Sequence, residues 1–145
     1  MASGLQVHVQ IEIRASAQAV WDALTKPELV KQYLFGTEMK ADWRVGGKIT
    51  YSGEWEGKHY VDKGEIKVLE PGRLLVSTYW SAFSGLPDAP ENYQTVSYRI
   101  TPHGDSVLLE IIQDNVKDEE SKTHSEENWK RVSEKLRELV ESPAG

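Results

Sequence analysis

The residues able by type to do chemistry fall into a few short stretches, and most of these fail on spacing. Gly53–Glu54–Trp55–Glu56–Gly57–Lys58–His59 has the outline of a phosphate loop. Such a loop needs four residues between its glycines and a hydroxyl after the lysine, so that backbone N–H groups cradle phosphate oxygens and the hydroxyl holds magnesium. Here three residues intervene, a histidine follows, and Glu54 and Glu56 would repel phosphate. His124–Ser125–Glu126 matches the opening of a zinc-deaminase signature, which also requires two cysteine ligands. The chain has no cysteine, which also excludes Cys-ligated zinc, iron–sulfur clusters, thiol nucleophiles and dithiol redox chemistry. The histidines His8, His59, His103 and His124 are too far apart in sequence for a local metal motif. No metal or other cofactor is expected. Ser77, Ser81 and Ser84 could act as nucleophiles only beside a base, and no G-x-S-x-G elbow presents any of them.

His59 stands apart from the other histidines. Trp55 and Tyr60 lie close to it at a hairpin, where an imidazole could hydrogen-bond a ligand or exchange a proton near neutral pH. His8, on the polar side of a strand, and His103, in a turn, read as solvent-exposed. Glu54, Glu56, Asp62 and Glu65 could meet across the same hairpin, about 5 Å apart, as an acid–base pair. With 28% of residues charged, a solvated strand face is the simpler reading, because carboxylates are seldom buried. No catalytic residue is assigned. The aromatic side chains are more informative. They concentrate between positions 43 and 98, and Tyr51, Trp55 and Trp80 occur on strand faces otherwise apolar. Such rings can fill a core or line a pocket, where they give large apolar contact area and an occasional N–H or O–H to orient a ligand.

These residues must be positioned by the elements around them. Leu5, Val7, Val9, Ile11 and Ile13 alternate with polar residues, which predicts a half-buried strand. Ser16 can cap a short helix with apolar positions Ala17, Val20, Trp21 and Leu24, which stops at Lys26–Pro27. Pro27 suits the first turn of a second short helix. Strand patterns follow Gly46–Gly47, with Glu56–Gly57 and Pro71–Gly72 as turns, and Ser81–Glu91 reads as a loop long enough to cover something. In Val107–Gln113 both alternating sets are largely apolar, which predicts cover on both faces. Trp129, Val132, Leu136, Leu139 and Val140 then recur at intervals of three and four, predicting an amphipathic helix from about Ser125 to Glu141 with Thr123–Glu126 as a capping box.

At 145 residues the chain reads as one domain, 1–145. Folding at this size buries roughly 68–70% of the chain's surface, so the core needs no staples. A net charge of −6 with scattered basic residues argues against nucleic acid as a partner. The first 13 residues carry no positive charge, and no run approaches 18 apolar residues. Neither a signal peptide nor membrane insertion is therefore expected, and a cytoplasmic protein is the default. The closing helix supplies an apolar stripe ~24 Å long, enough to cover part of a long sheet and hardly all of it. A cavity between sheet and helix is the geometric expectation.

Four stretches, in order, resemble a known pattern. They are Val20–Trp21–Asp22–Ala23–Leu24–Thr25–Lys26–Pro27–Glu28, Asp42–Trp43–Arg44–Val45–Gly46–Gly47, Leu69–Glu70–Pro71–Gly72–Arg73–Leu74, and a closing helix led by Trp129. Together they look like the bacterial homologues of the activator of the heat-shock-protein-90 ATPase, in the START-like, birch-pollen-allergen-like superfamily. The resemblance spans about Val7 to Val140. It implies an α+β helix-grip fold: a curved antiparallel sheet of about six or seven strands around a long C-terminal helix, two short helices after the first strand, and a pocket between. Two positions depart from the family's habit. Tyr33–Leu34–Phe35 stands where a tryptophan is common, and Asn128 where a glycine often precedes the helix tryptophan; both border the implied pocket.

The expected pocket residues are Tyr33, Phe35, Tyr51, Trp55, His59, Trp80, Phe83, Tyr98 and Trp129. The expected function is binding of a small hydrophobic or amphipathic molecule there. Two alternatives stand beside it: a cochaperone acting on a heat-shock-protein-90-type ATPase, which the resemblance implies, and a cyclase- or hydratase-type enzyme of the kind related folds host. The expected partner is thus a small hydrophobic molecule or, alternatively, a chaperone, for a monomer or homodimer.

Overall fold

The computed structural model describes residues 5–33, 36–55, 57–81, 86–116 and 118–141, with Trp55 by its backbone only. β1 (Leu5–Ile13) leads into α1 (Ala17–Thr25) and α2 (Pro27–Tyr33). β2 (Glu38–Ala41), β3 (Lys48–Trp55), β4 (Lys58–Glu70) and β5 (Leu74–Tyr79) follow, then one 3-10 turn at Pro90–Asn92, β6 (Gln94–His103), β7 (Ser106–Val116) and α3 (Glu119–Glu141). The strands form one seven-stranded sheet in the order β1-β7-β6-β5-β4-β3-β2, every neighbouring pair antiparallel. With α3 laid across its concave face, this is the α+β helix-grip arrangement.

Local chemistry accounts for the boundaries. The Ser16 hydroxyl accepts the Ala19 N–H at 3.0 Å and caps α1. Lys26 closes it by donating to the Asp22 carbonyl at 2.8 Å, and Pro27 starts α2 where its missing N–H costs nothing. At the β4–β5 turn Gly72 has φ 76°, which the second central position of a type II turn demands and which glycine adopts without strain.

α3 begins at Glu119, not near Ser125. Asp118 takes the capping role, its carboxylate accepting the Ser121 N–H at 2.7 Å, and Glu119 and Glu120 sit at the helix's positive end. Thr123–Glu126, read above as a capping box, is therefore interior helix. β7 also differs from its expected double cover. Val107, Leu109 and Ile111 are buried, whereas Leu108, Glu110 and Ile112 are half-exposed on the outer face. The short strand β2 had no separate signal in the sequence.

The main core lies between the sheet and the helices. Ile49, Ile66, Leu75, Ile100, Leu109 and Ile111 from the sheet meet Val20, Trp21 and Leu24 of α1, Val30 and Tyr33 of α2, and Val132 and Leu136 of α3. Val7, Val9 and Val116 form a smaller cluster, and Trp129 packs against both. Among the described residues no helix is long and apolar enough to cross a membrane.

Candidate functional site

Strand parity builds the site. On β3 to β7, the residues that alternate with the outer set bring Tyr51, Tyr60, Asp62, Ser77, Tyr79 and Tyr98 to the concave face. α3 closes it from above with His124, Ser125, Asn128 and Trp129. A cavity of about 310 Å³ remains between them, with Thr37, Val96 and Gln113 also on its wall. A more open depression of about 1130 Å³ adjoins it at Tyr79, Gln113, His124 and Ser125, and runs out between the first turns of α3 and the segment after β5.

Register fixes the polar contacts. Tyr51 lies directly opposite Asp62 across β3 and β4. The Tyr79 hydroxyl donates to the Asp62 carboxylate at 2.7 Å, and the Tyr51 and Tyr79 rings meet edge-on at 6.4 Å. Asp62 is buried, with 7% of its surface exposed, so this carboxylate belongs to the cavity and not to the solvated strand face expected of it. On the far side Tyr98 meets Trp129 edge-on at 5.9 Å, and the indole N–H donates to Gln113 Oε1 at 2.7 Å. Gln113 in turn donates to Gln94 Oε1 at 2.5 Å. Tyr60 shares a hydrogen bond with Thr37 Oγ1 at 2.8 Å. Among the described residues the hydroxyls of Tyr51 and Tyr98 have no hydrogen-bond partner, and no inaccessible side-chain N or O atom lacks one. Both hydroxyls therefore open onto the cavity.

Of the residues expected at the pocket, Tyr51, Tyr98 and Trp129 are brought together on its wall. Tyr33 is buried just below, in the core. His59 is exposed on the outer face of β4, paired in register with Glu54, because it sits one residue out of phase with Tyr60 and Asp62. Trp80 also misses the closed cavity. It follows Tyr79 on the opposite parity, borders the open depression, donates its indole N–H to the Leu86 and Pro87 carbonyls at 3.2 Å, and lies under the Lys63 ammonium. Phe35, Phe83 and the Trp55 side chain lie outside the described residues. The expected pocket left out Tyr79 and Ser77, the inward set of β5, and Asp62, although the sequence offers Ser77 as a nucleophile and Asp62 as part of an acid–base pair. It also missed His124 and Ser125, which continue the spacing of Trp129 and Val132 one turn toward the helix start. Among the described residues no cluster of three or more histidines and carboxylates could hold a metal ion.

Burial raises the phenol pKa of Tyr33, Tyr51, Tyr79 and Tyr98; the Asp62 carboxylate adds to it for Tyr79, and neighbouring tyrosines add to it for Tyr33, Tyr79 and Tyr98. A raised folded-state value means that the neutral form is favoured in the native protein. That stabilisation is complete below the ordinary phenol value of about 10 and is lost as pH rises through the folded values. An absorbance titration near 295 nm should therefore show these four phenols ionising together, in one step that coincides with loss of the near-UV circular dichroism. Gradual ionisation of all six tyrosines in a still-folded protein would contradict this.

The model of the family described as Activator of Hsp90 ATPase homolog 1-like protein matches residues 14–141. Among solved structures, the chain is similar to ChR145 from Cytophaga hutchinsonii, with 39% identity, TM-score 0.84 and 97% of each chain covered. The protein MLL2253 from Mesorhizobium loti shares the fold at 23% identity and TM-score 0.79, over 94% of this chain and 97% of that one. So does the Aha1 dimer from Colwellia psychrerythraea, at 16% identity and TM-score 0.76 over 97% and 99%. No curated protein matches the chain significantly.

Proposed function

Since the chain belongs to the family of Activator of Hsp90 ATPase homolog 1-like proteins, and its sheet and α3 enclose a cavity, we propose that it binds one small hydrophobic or amphipathic molecule there. One observation carries the reading: Tyr51 and Tyr98 offer hydroxyls with no described protein partner to a space of about 310 Å³ walled by aromatic rings. A void of that size is in the range of small-molecule pockets, and a few convergent polar groups on an aromatic wall are what orients such a ligand. Two features favour binding over turnover. The carboxylate of the wall is engaged by Tyr79, and among the described residues Ser77 is hydrogen-bonded to no base.

Titration with neutral aromatic and lipid-like compounds should raise the melting temperature with concentration, as RT ln(1 + [L]/Kd) requires, and change the Trp129 fluorescence. Tyr51→Phe and Tyr98→Phe keep the rings and remove the hydroxyls. Each should weaken binding roughly 2- to 10-fold, the worth of one net hydrogen bond, with the fold intact. A broad screen that moves neither signal overturns the reading.

The family description carries a second reading, stimulation of a heat-shock-protein-90-type ATPase through the protein's surface. A steady-state ATPase assay with that chaperone registers it, and Tyr98→Phe, altered only inside the cavity, should leave any stimulation unchanged.

A further inference from the structure

We infer that the cavity selects a ligand whose buried polar end donates hydrogen bonds, a hydroxyl or an amine, and rejects carboxylate amphiphiles of the same shape. The inference rests on the binding reading above and adds the chemistry of the headgroup.

The sign of the wall decides it. Asp62 brings a carboxylate into the cavity with 7% of its surface exposed, and no lysine or arginine stands among the described residues of the wall. The nearest cation in sequence, Lys63, lies on the other parity. Its ammonium pairs with Asp88 and covers the Trp80 ring at 5.8 Å on the outer face. A ligand carboxylate entering beside Asp62 would lose its water and meet a like charge where the local dielectric is low, so both desolvation and repulsion oppose it. A hydroxyl or ammonium at the same place gains a charge-assisted hydrogen bond to a carboxylate group, which can accept about four such bonds at once, the Tyr79 bond among them. The hydroxyls of Tyr51 and Tyr98, held neutral by burial, can donate or accept and so do not choose between the two. The chain's net charge of −6 works in the same direction as Asp62 during encounter. Among the described residues of the wall, only His124 could supply a positive charge.

Three probes on one ring system isolate the headgroup: 2-naphthylmethanol, 2-naphthylmethylamine and 2-naphthoate, titrated calorimetrically into the full chain. The alcohol and the amine should bind at least about tenfold more tightly than the naphthoate. Asp62→Asn keeps the size and the acceptor for Tyr79, and should strengthen naphthoate binding and weaken amine binding by a similar factor. His124→Gln should leave the wild-type order unchanged. If Asp62→Asn does not melt cooperatively, the wild-type order decides alone. Naphthoate binding as tightly as the alcohol, or an order indifferent to Asp62→Asn in a folded variant, overturns the selectivity while leaving the binding reading in place. Failure of all three probes to bind either protein removes the binding reading and this inference together.

Discussion

A chain ended at Asp118 should not fold. α3 buries Val132, Ser133 and Leu136, adds Trp129, Leu139 and Val140 at the edge of the core, and touches β1, β7, α1 and α2. Each large apolar side chain taken from water contributes about 1.5–3 kcal/mol, and Leu136→Ala alone should cost about 2–5 kcal/mol. Losing the whole stripe, and returning to water part of the core of β1 and β7 that it packs against, removes on the order of 10 kcal/mol. A domain of this size holds only about 5–15 kcal/mol in all. The contact from the Arg14 N–H to the Glu141 carboxylate at 2.7 Å, which ties the far end of the helix to the end of β1, goes as well. Far-UV circular dichroism and a thermal melt check this: the shortened chain should show no cooperative transition, and a sharp melt would mean that the sheet carries its own core.

Gly64→Ala should be strongly destabilising, although it adds a single methyl group. Gly64 lies in β4 where the strand is held on both edges, opposite Ile49 of β3 on one side and, on the other, at a crossing with the β5 edge between the Lys63–Trp80 bridge and the Ile66–Ser77 pair. A Cβ there would stand 1.7 Å from the Thr78 carbonyl oxygen and 2.5 Å from its carbon. Neither backbone can yield cheaply. Lys63 and Trp80 exchange both backbone hydrogen bonds, at 3.0 and 2.8 Å, and the Glu65 N–H donates to Thr78 Oγ1 at 2.9 Å. Relief of the overlap must break this ladder, so the expected loss is about 3 kcal/mol or more, read as a fall in melting temperature of roughly 10 °C. Because Asp62 and Tyr79 flank the crossing, ligand affinity should fall too. A variant that melts within a degree or two of the wild type would show that β4 and β5 do not approach so closely.

Most of the fold was legible because its signals are local. The alternation at Leu5–Ile13, the Ser16 cap, the Lys26–Pro27 stop and the Pro71–Gly72 turn each declare themselves within a few residues. The start of α3 was not, because two capping signals compete within one turn and a half: Thr123–Glu126 has the better motif, yet Asp118 makes the bond. The site was legible in part. Tyr51, Tyr98 and Trp129 follow from parity and helical spacing. On β5 both alternating sets contain leucine or valine, so sequence could not say which faces inward. Pairing Ser77 with Ile66 on one side and Val96 on the other turns Leu75, Ser77 and Tyr79 to the cavity and Trp80 away from it. Asp62 was hidden for a different reason. A carboxylate in a charged hairpin reads as solvated, and only the long-range approach of Tyr79 and the cover of the cavity make it a buried acceptor.

The central claim is that the cavity beneath α3 takes a ligand, and intermolecular nuclear Overhauser effects test it most directly. With 2-naphthylmethanol bound to isotope-labelled protein, cross-peaks should connect the naphthalene protons to the ring protons of Tyr51, Tyr98 and Trp129, which can be near one small molecule only inside that space. Cross-peaks confined to outward residues such as Trp43, Val45 or Val61, with none to those three rings, would contradict it.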